Sequence, residues 1–379
     1  ATSGGTGSGA GTAKVFNLVL HAGNGLYAGS IDGANALLTA TSGVMDLTHG
    51  SISVDNLQAV AGSNTVVGAS INVGNQISLI SGGVLDLSSA SSYINAYNLT
   101  ATASGNVLLG DIVLGNQGAI TSLNGSIQGN LLTGRPLAGY SGQYVLTALT
   151  GIGNIVPVVV SNTAVTAVTT SSTSGDISLI AGVPNAGDNA ATISANAAHG
   201  AVNILNYAYN LTLGSVISGA NGAGYLGNIV VTNQLPAEWM IVNTVTAGGA
   251  GAMVAINAFA GHIEDGGAGS GITASRVALT ALGGGSDIGG LGPIRVTAPT
   301  VLAVSGGNIY LDSLRPLNDG NGNRLPATLF PIVANTADNS NTVSITGVGD
   351  LLLGYLNAGA NTGTLSISSS QGSLIRNPG

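Results

Sequence analysis

The feature that most constrains the fold of this chain is a short phrase that keeps returning: a glycine or alanine, a small residue, then an alternating aliphatic run. It reads GSISV at 50–54, ASINVG at 69–74, GDIVLG at 110–115 and GDISLIAG at 175–182. It returns as GAVNIL at 200–205, GNIVV at 227–231, GNIYL at 307–311 and GTLSIS at 363–368. Many neighbouring copies stand about 17 to 27 residues apart, a spacing that belongs to solenoids and other repeat architectures. Each copy has the two-residue alternation of a short strand entered through a glycine turn. One such unit cannot bury its apolar face; a stack of them can.

Composition narrows the kind of stack. Glycine fills 61 of 379 positions without a strict three-residue period, which excludes a collagen helix. Hydrophobic residues make up 44% of the chain and the mean hydropathy is +0.44, which excludes Gly/Ser-rich disorder, because disordered chains lack that apolar surface. Only 4% of residues are aromatic and 6% charged, so the interior must be built from Ala, Val, Ile and Leu. Helix formers such as Glu, Lys and Arg are scarce while Gly and β-branched residues recur, which argues against long helices. Asn, Ser and Thr fill most other positions, and in stacked parallel strands they can form side-chain hydrogen-bond ladders. The expected fold is all-β: a single parallel β-helix (β-solenoid) of roughly 15 to 18 coils with a few loop insertions.

Residues 1–12, with no large apolar side chain, read as a flexible arm, and 13–379 as the solenoid. No proline precedes Pro136, so nothing interrupts the ladder over the first third of the chain. Three stretches break the rhythm and are expected to protrude as insertions: 134–150, 233–267 and 312–335. The first carries Arg135, Pro136 and two tyrosines, and the second holds Trp239, Glu238, His262, Glu264 and Asp265. The third holds three of the ten prolines.

Fifteen acidic and seven basic residues give a formal charge of −8, and Lys14 is the only lysine. With no basic patch, nucleic acid is not an expected partner. Charged side chains are also the usual guard against edge-to-edge strand pairing, so self-association is expected. Cysteine is absent, which excludes disulfides and thiolate metal sites. No uninterrupted apolar stretch of about 20 residues is present, so no membrane-spanning helix is expected. The start at Ala1 without a charged-then-apolar leader fits a mature product or an excised segment.

The stretch 272–311 carries a family likeness. ITASRVALTALGGGSDIG is followed by PIRVTAPTVLAVSGGNIYL, with Ser286-Asp287-Ile288-Gly289, Pro293-Ile294-Arg295-Val296 and Gly306 to Leu311 at the key positions. This resembles the repeats of filamentous-haemagglutinin-type secreted bacterial exoproteins. The resemblance covers about 40 residues well and the other coils diffusely. It implies a right-handed parallel β-helix and an adhesive, rod-forming role at the bacterial cell surface or outside the cell. It supplies no catalytic residues. The chain is shorter than most members and shows no amino-terminal secretion module of the two-partner type.

Residues with potential chemistry are few. His21, His49, His199 and His262 lack metal-ligand spacing. His262-Ile263-Glu264-Asp265 is the one local cluster of imidazole and carboxylates and reads as a solvated turn, since a metal needs three or four convergent ligands. Gly283-Gly284-Gly285-Ser286-Asp287 reads as a glycine corner, because it is not repeated in tandem as a calcium-binding nonapeptide would be. Asp46 and Asp86, and Asp176 and Asp188, are candidate carboxylate pairs for sugar hydrolysis, better read as turn residues. Trp239, Tyr140, Tyr144, Tyr207, Tyr209 and Tyr225 form a ligand patch or cover the solenoid's sides, and the second reading is preferred. No catalytic, cofactor-binding or metal residues and no cofactor are therefore assigned, and an enzyme is not expected. The expected function is structural: a subunit that associates head to tail into an extracellular surface or biofilm-matrix filament with an adhesive role, surface glycans being possible partners. The alternatives are a monomeric adhesin stalk that binds through its insertions and, behind it, a carbohydrate-active β-helix enzyme.

Overall fold

The computed structural model describes residues 17–89, 93–130, 137–139, 142–161, 163–171, 173–183, 190–219, 227–234, 239–315, 318, 321–334, 340–359 and 362–376. The arm expected over 1–12 lies outside them. The chain divides into two compact units, Ala1–Val168 and Thr169–Gly379. Each is a parallel β-solenoid, and among the described residues there is no helix and the coils number about 14. That is fewer than the roughly 15 to 18 expected from the spacing of the repeated phrase. Some coils are longer than the repeat, as where 34 residues separate Asn308 from its partner Thr342 one coil on.

In the first unit, Ser51–Ala61, Ser70–Ser81, Tyr93–Ala103 and Asp111–Ser122 lie in register on successive coils. Their alternation sends one set of side chains inward. Ile31, Ile52, Ile71, Ile94, Ile112 and Leu137 thereby form one buried column. The second unit repeats the device with Ile177, Val202, Ile229, Val254, Val277 and Val301. A parallel ladder puts identical positions about 4.8 Å apart, so like-sized aliphatic side chains stack without voids.

The recurring phrase acts at the corners. There the backbone must turn while the ladder continues, and the small polar residue bridges the gap. Asp176 Oδ1 accepts from Ala201 N–H (2.8 Å), Asn228 Oδ1 from Met253 N–H (3.0 Å) and Asn308 Oδ1 from Thr342 N–H (2.8 Å). Asn64 and Asn106 do the same for Val84 and Ser126 (both 2.9 Å). The glycines permit close stacking: a Cβ on Gly82 would overlap the carbonyl of Gly62 in the coil before it.

Tyr144 is the one aromatic among the largest fully buried side chains, 1% exposed. It occupies an inward column in which Gly118 is its neighbour one coil earlier. A Cβ on Gly118 would lie 2.8 Å from the Tyr144 ring, so the glycine vacates the volume the ring fills. The phenol donates to the carbonyls of Ala138 (2.6 Å) and Ile112 (3.0 Å), which satisfies the buried hydroxyl.

Two of the expected insertions are corrected. In 233–267, Trp239–Ala247, Met253–Ala258 and His262–Asp265 are wall strands. In 134–150, Leu137–Gly139 and Gln143–Ala148 are wall strands too. The unusual side chains there stand on outward or corner positions, or, for Tyr144, in space left by a glycine, so the ladder tolerates them. Within 312–335, wall strands end at Ser313 and resume at Thr328. Between them Asn318 and Arg324 form an isolated antiparallel bridge, so this excursion leaves the wall.

Replacing Gly118 with valine should overpack the Tyr144 layer and destabilise the protein by about 1–3 kcal/mol. Chemical denaturation followed by far-UV circular dichroism measures this, and the double variant with Tyr144→Ala should recover part of the loss.

Candidate functional site

A cluster of polar side chains with restricted solvent access lies in the second unit, where three successive coils meet at one corner. The ladder sets Trp239 opposite His262 and Ile241 opposite Glu264, and the bridge of Ile263 to Ile288 brings Asp287 onto the next coil. The rings of Trp239 and His262 stack with centroids 4.8 Å apart and planes 19° from parallel. Asp287 N–H donates to His262 Nδ1 at 3.1 Å, which places the ring proton on Nε2.

Glu264 is the unusual member. It is 1% exposed, and its Oε2 accepts from Leu291 N–H at 2.7 Å. Its Oε1 is buried without a hydrogen-bond partner, 3.8 Å from His262 Nδ1. Asp287 Oδ2 lies 3.8 Å from the same nitrogen. A Cβ on Gly290 would stand 3.1 Å from both carboxylate oxygens, so the glycine roofs the pair. Burial pushes the Glu264 carboxyl above the usual carboxylate range, the Leu291 amide opposes this, and the charges of Asp287 and Asp265 add to the rise. Asp265 is held apart by Arg295, whose Nη2 lies 2.8 Å from Asp265 Oδ2 and 2.8 Å from Ser270 Oγ.

The arrangement is a buried carboxyl, its pKa raised by burial, beside the carboxyl group of Asp287 and the imidazole of His262. It differs from the solvated turn expected of His262-Ile263-Glu264-Asp265, because the corner is roofed by the 287–291 turn of the next coil. Among the described residues, no group of three His, Asp or Glu side chains could hold a metal ion. With its carboxylate oxygens walled off, Glu264 is not presented to a substrate.

The other sequence candidates are dispersed. Asp46 and Asp86 share one outward column, with Val66 between them. Each closes its own turn: Asp46 Oδ1 accepts from Thr48 N–H and Oγ1–H (2.9 and 2.6 Å), Asp86 Oδ1 from Ser88 N–H and Oγ–H (2.9 and 2.6 Å). Asp176 is engaged at its corner, and Asp188, Tyr140 and Tyr225 lie outside the described residues. Gly283–Asp287 is a turn in which Ser286 N–H donates to the Gly283 carbonyl (3.0 Å). Tyr144 is core and Tyr209 is 48% exposed on the surface.

Two surfaces complete the candidates. The coil made by Thr364–Ser369 and Leu374–Arg376 is hydrogen-bonded, among the described residues, on one side alone. Leu365 and Leu374 occupy the columns of Val343 and Leu351, which are fully buried, yet each is 49% exposed. The second surface is a shallow uncharged groove along the first unit, lined by amide side chains. Reading the sequence missed it, although its signal is present: an Asn or Gln stands at the head of successive apolar runs, at Asn17, Asn35, Asn56, Gln76, Asn98, Gln117 and Gln143.

No family model, no curated protein and no solved structure matches this chain.

The buried carboxyl gives the second unit a pH response. With its pKa raised in the folded state, Glu264 stabilises the fold below its unfolded pKa, and that contribution is lost as pH rises through the folded value. The groups facing it are His262, Asp265 and Asp287, with Arg295 neutralising Asp265. Glu264→Gln keeps the shape and removes the ionisation, so its melting temperature should match the wild type near pH 4 and exceed it near pH 8. Calorimetric melts across that range check this; a variant less stable than wild type at pH 8 would contradict it.

Proposed function

We propose that this protein is a structural β-solenoid subunit that associates end to end into an extracellular surface or matrix filament with an adhesive role. The observation that carries the reading is the coil at Thr364–Ser369 and Leu374–Arg376, which among the described residues is paired on one side alone. Among the described residues its strands have no partner along one edge, and its inward Leu365 and Leu374 are each half exposed. Such an edge is a template for another strand. A second copy offering the opposite face of its own stack makes a heterologous contact that does not close, and contacts of that kind build filaments.

The charge distribution supports the reading. Arg376 is the one charged residue on these two strands, so little electrostatic repulsion guards the edge. The likeness of 272–311 to filamentous-haemagglutinin repeats points the same way and supports placement outside the bacterial cell. The strands of the likeness, including Arg276–Ala281, Ile294–Thr297, Thr300–Ser305 and Ile309–Ser313, all sit on coils. The stalk reading, with ligands held by insertions, is weakened because most described residues of 134–150 and 239–265 run in the wall.

Leu365→Lys places a charge in that inward column. Under the filament reading the wild-type protein sediments as a concentration-dependent series of oligomers and gives elongated particles by negative-stain electron microscopy. The variant should sediment at least tenfold poorer in oligomer at equal concentration. Wild-type protein that stays monomeric at high concentration and neutral pH would defeat the reading.

A further inference from the structure

Beyond the filament role, the uncharged groove of the first unit has the chemistry of a binding surface. Seven amide side chains occupy a single position of the coil. The register runs Asn17 to Asn35 to Asn56 to Gln76 to Asn98 to Gln117 to Gln143. The strands jog at this point, between Val54 and Asn56 and again between Ala96 and Asn98, so the amides sit beside a bend in the wall. A groove of about 660 Å³ is lined by the earlier members and one of about 430 Å³ by the later ones. Gln76 lines both.

Neighbouring amides are tied to each other. Asn35 Nδ2 donates to Asn17 Oδ1 (2.7 Å), and Asn56 Nδ2 donates to Asn35 Oδ1 (2.8 Å). Asn116, which lines the same groove, donates through Nδ2 to Asn98 Oδ1 (2.9 Å). A carboxamide has two N–H donors and an oxygen with two lone pairs. Asn35, bonded above and below, thus retains one donor and one acceptor and is held by its neighbours, and the amide position itself recurs about every 4.8 Å.

We propose that this groove binds a linear neutral polysaccharide along the stacking direction. A vicinal pair of sugar hydroxyls donates one hydrogen bond and accepts another, which a carboxamide with a donor and an acceptor left over, such as Asn35, can match. Both grooves lack charged lining residues, so neither an acidic glycan nor a nucleic acid finds a counter-ion there. Asp55 lines a separate cleft with Ser53, Asn72 and Asn95. A thin chain laid along the groove can meet successive rungs at Asn17, Asn35, Asn56 and Gln76. The ladder pre-orders the rungs, which cuts the entropy of ordering side chains on binding.

The test uses the Leu365→Lys background, so that association through the coil at 364–376 does not intervene. Titration calorimetry with cellohexaose and β-1,4-mannohexaose, each at millimolar concentration, should give saturable binding for at least one. Hexagalacturonate should bind at least tenfold more weakly. Gln76→Leu and Asn56→Leu should each weaken binding about fivefold, the effect of losing one hydrogen bond, while Tyr209→Ala in the other unit leaves it unchanged. Thermal melts show whether each variant folds; Gln76→Leu decides if Asn56→Leu does not. No binding of either neutral hexasaccharide, equal binding of hexagalacturonate, or indifference to Gln76→Leu would overturn the proposal. A dimer dissolved by Gln76→Leu would overturn it too, by assigning the groove to a second copy.

Discussion

Backbone hydrogen bonds between successive coils run along the stacking direction, and almost every other property of the molecule follows from keeping that ladder in register. A parallel ladder superposes equivalent side chains, so each interior column must hold residues of matching size. The Ile and Val columns meet the requirement by repetition. Where repetition fails, compensation is local: Tyr144 fits because Gly118 gives up its side chain, and its hydroxyl is satisfied by two carbonyls. Corners are the other point of stress, since a turning backbone cannot pair with itself. Asn and Asp carboxyl and amide oxygens fill those gaps, as at Asn228 and Asn308, and glycine lets consecutive corners nest.

The same constraint sorts the chemistry. Inward positions are closed to variation, so unusual side chains gather on outward positions and at corners. Trp239 and His262 stack because the ladder places them one above the other, and the amide column exists because one outward position repeats. Glu264 is an exception, a carboxyl drawn into a roofed corner beside Asp287. Burial raises its pKa, so ionisation of the group, rather than its mere presence, bears on the stability of that corner.

Much of this was legible in the residues. The glycine-led phrase revealed strands, corners and stacking, and the abundance of Asn, Ser and Thr pointed to ladders. The reading of Asp46 and Asp86 as turn residues agrees with their bonds to Thr48 and Ser88. What escaped was position. Residues 233–267 looked like an excursion because Trp, Glu and His are foreign to an aliphatic repeat, yet composition says nothing about which way a strand residue faces. The amide column escaped for the opposite reason: Asn is so common here that seven equivalent ones, spaced unevenly, do not stand out. Only the register shows that Asn35 and Gln117 belong to one line. Glu264 needed the 287–291 turn, which is remote in sequence and adjacent in space.

Register can be measured directly, since the chain has no cysteine and any pair introduced is unambiguous. Ser53 and Asn72 are outward neighbours on adjacent coils, at the roughly 4.8 Å separation of parallel partners, which lies within disulfide reach. In-register stacking predicts that Ser53→Cys with Asn72→Cys forms an intramolecular disulfide readily on mild oxidation, while Ser51→Cys with Asn72→Cys does so poorly. Equal yields from the two pairs, or a preference for the second, would contradict the ladder on which the whole structure rests.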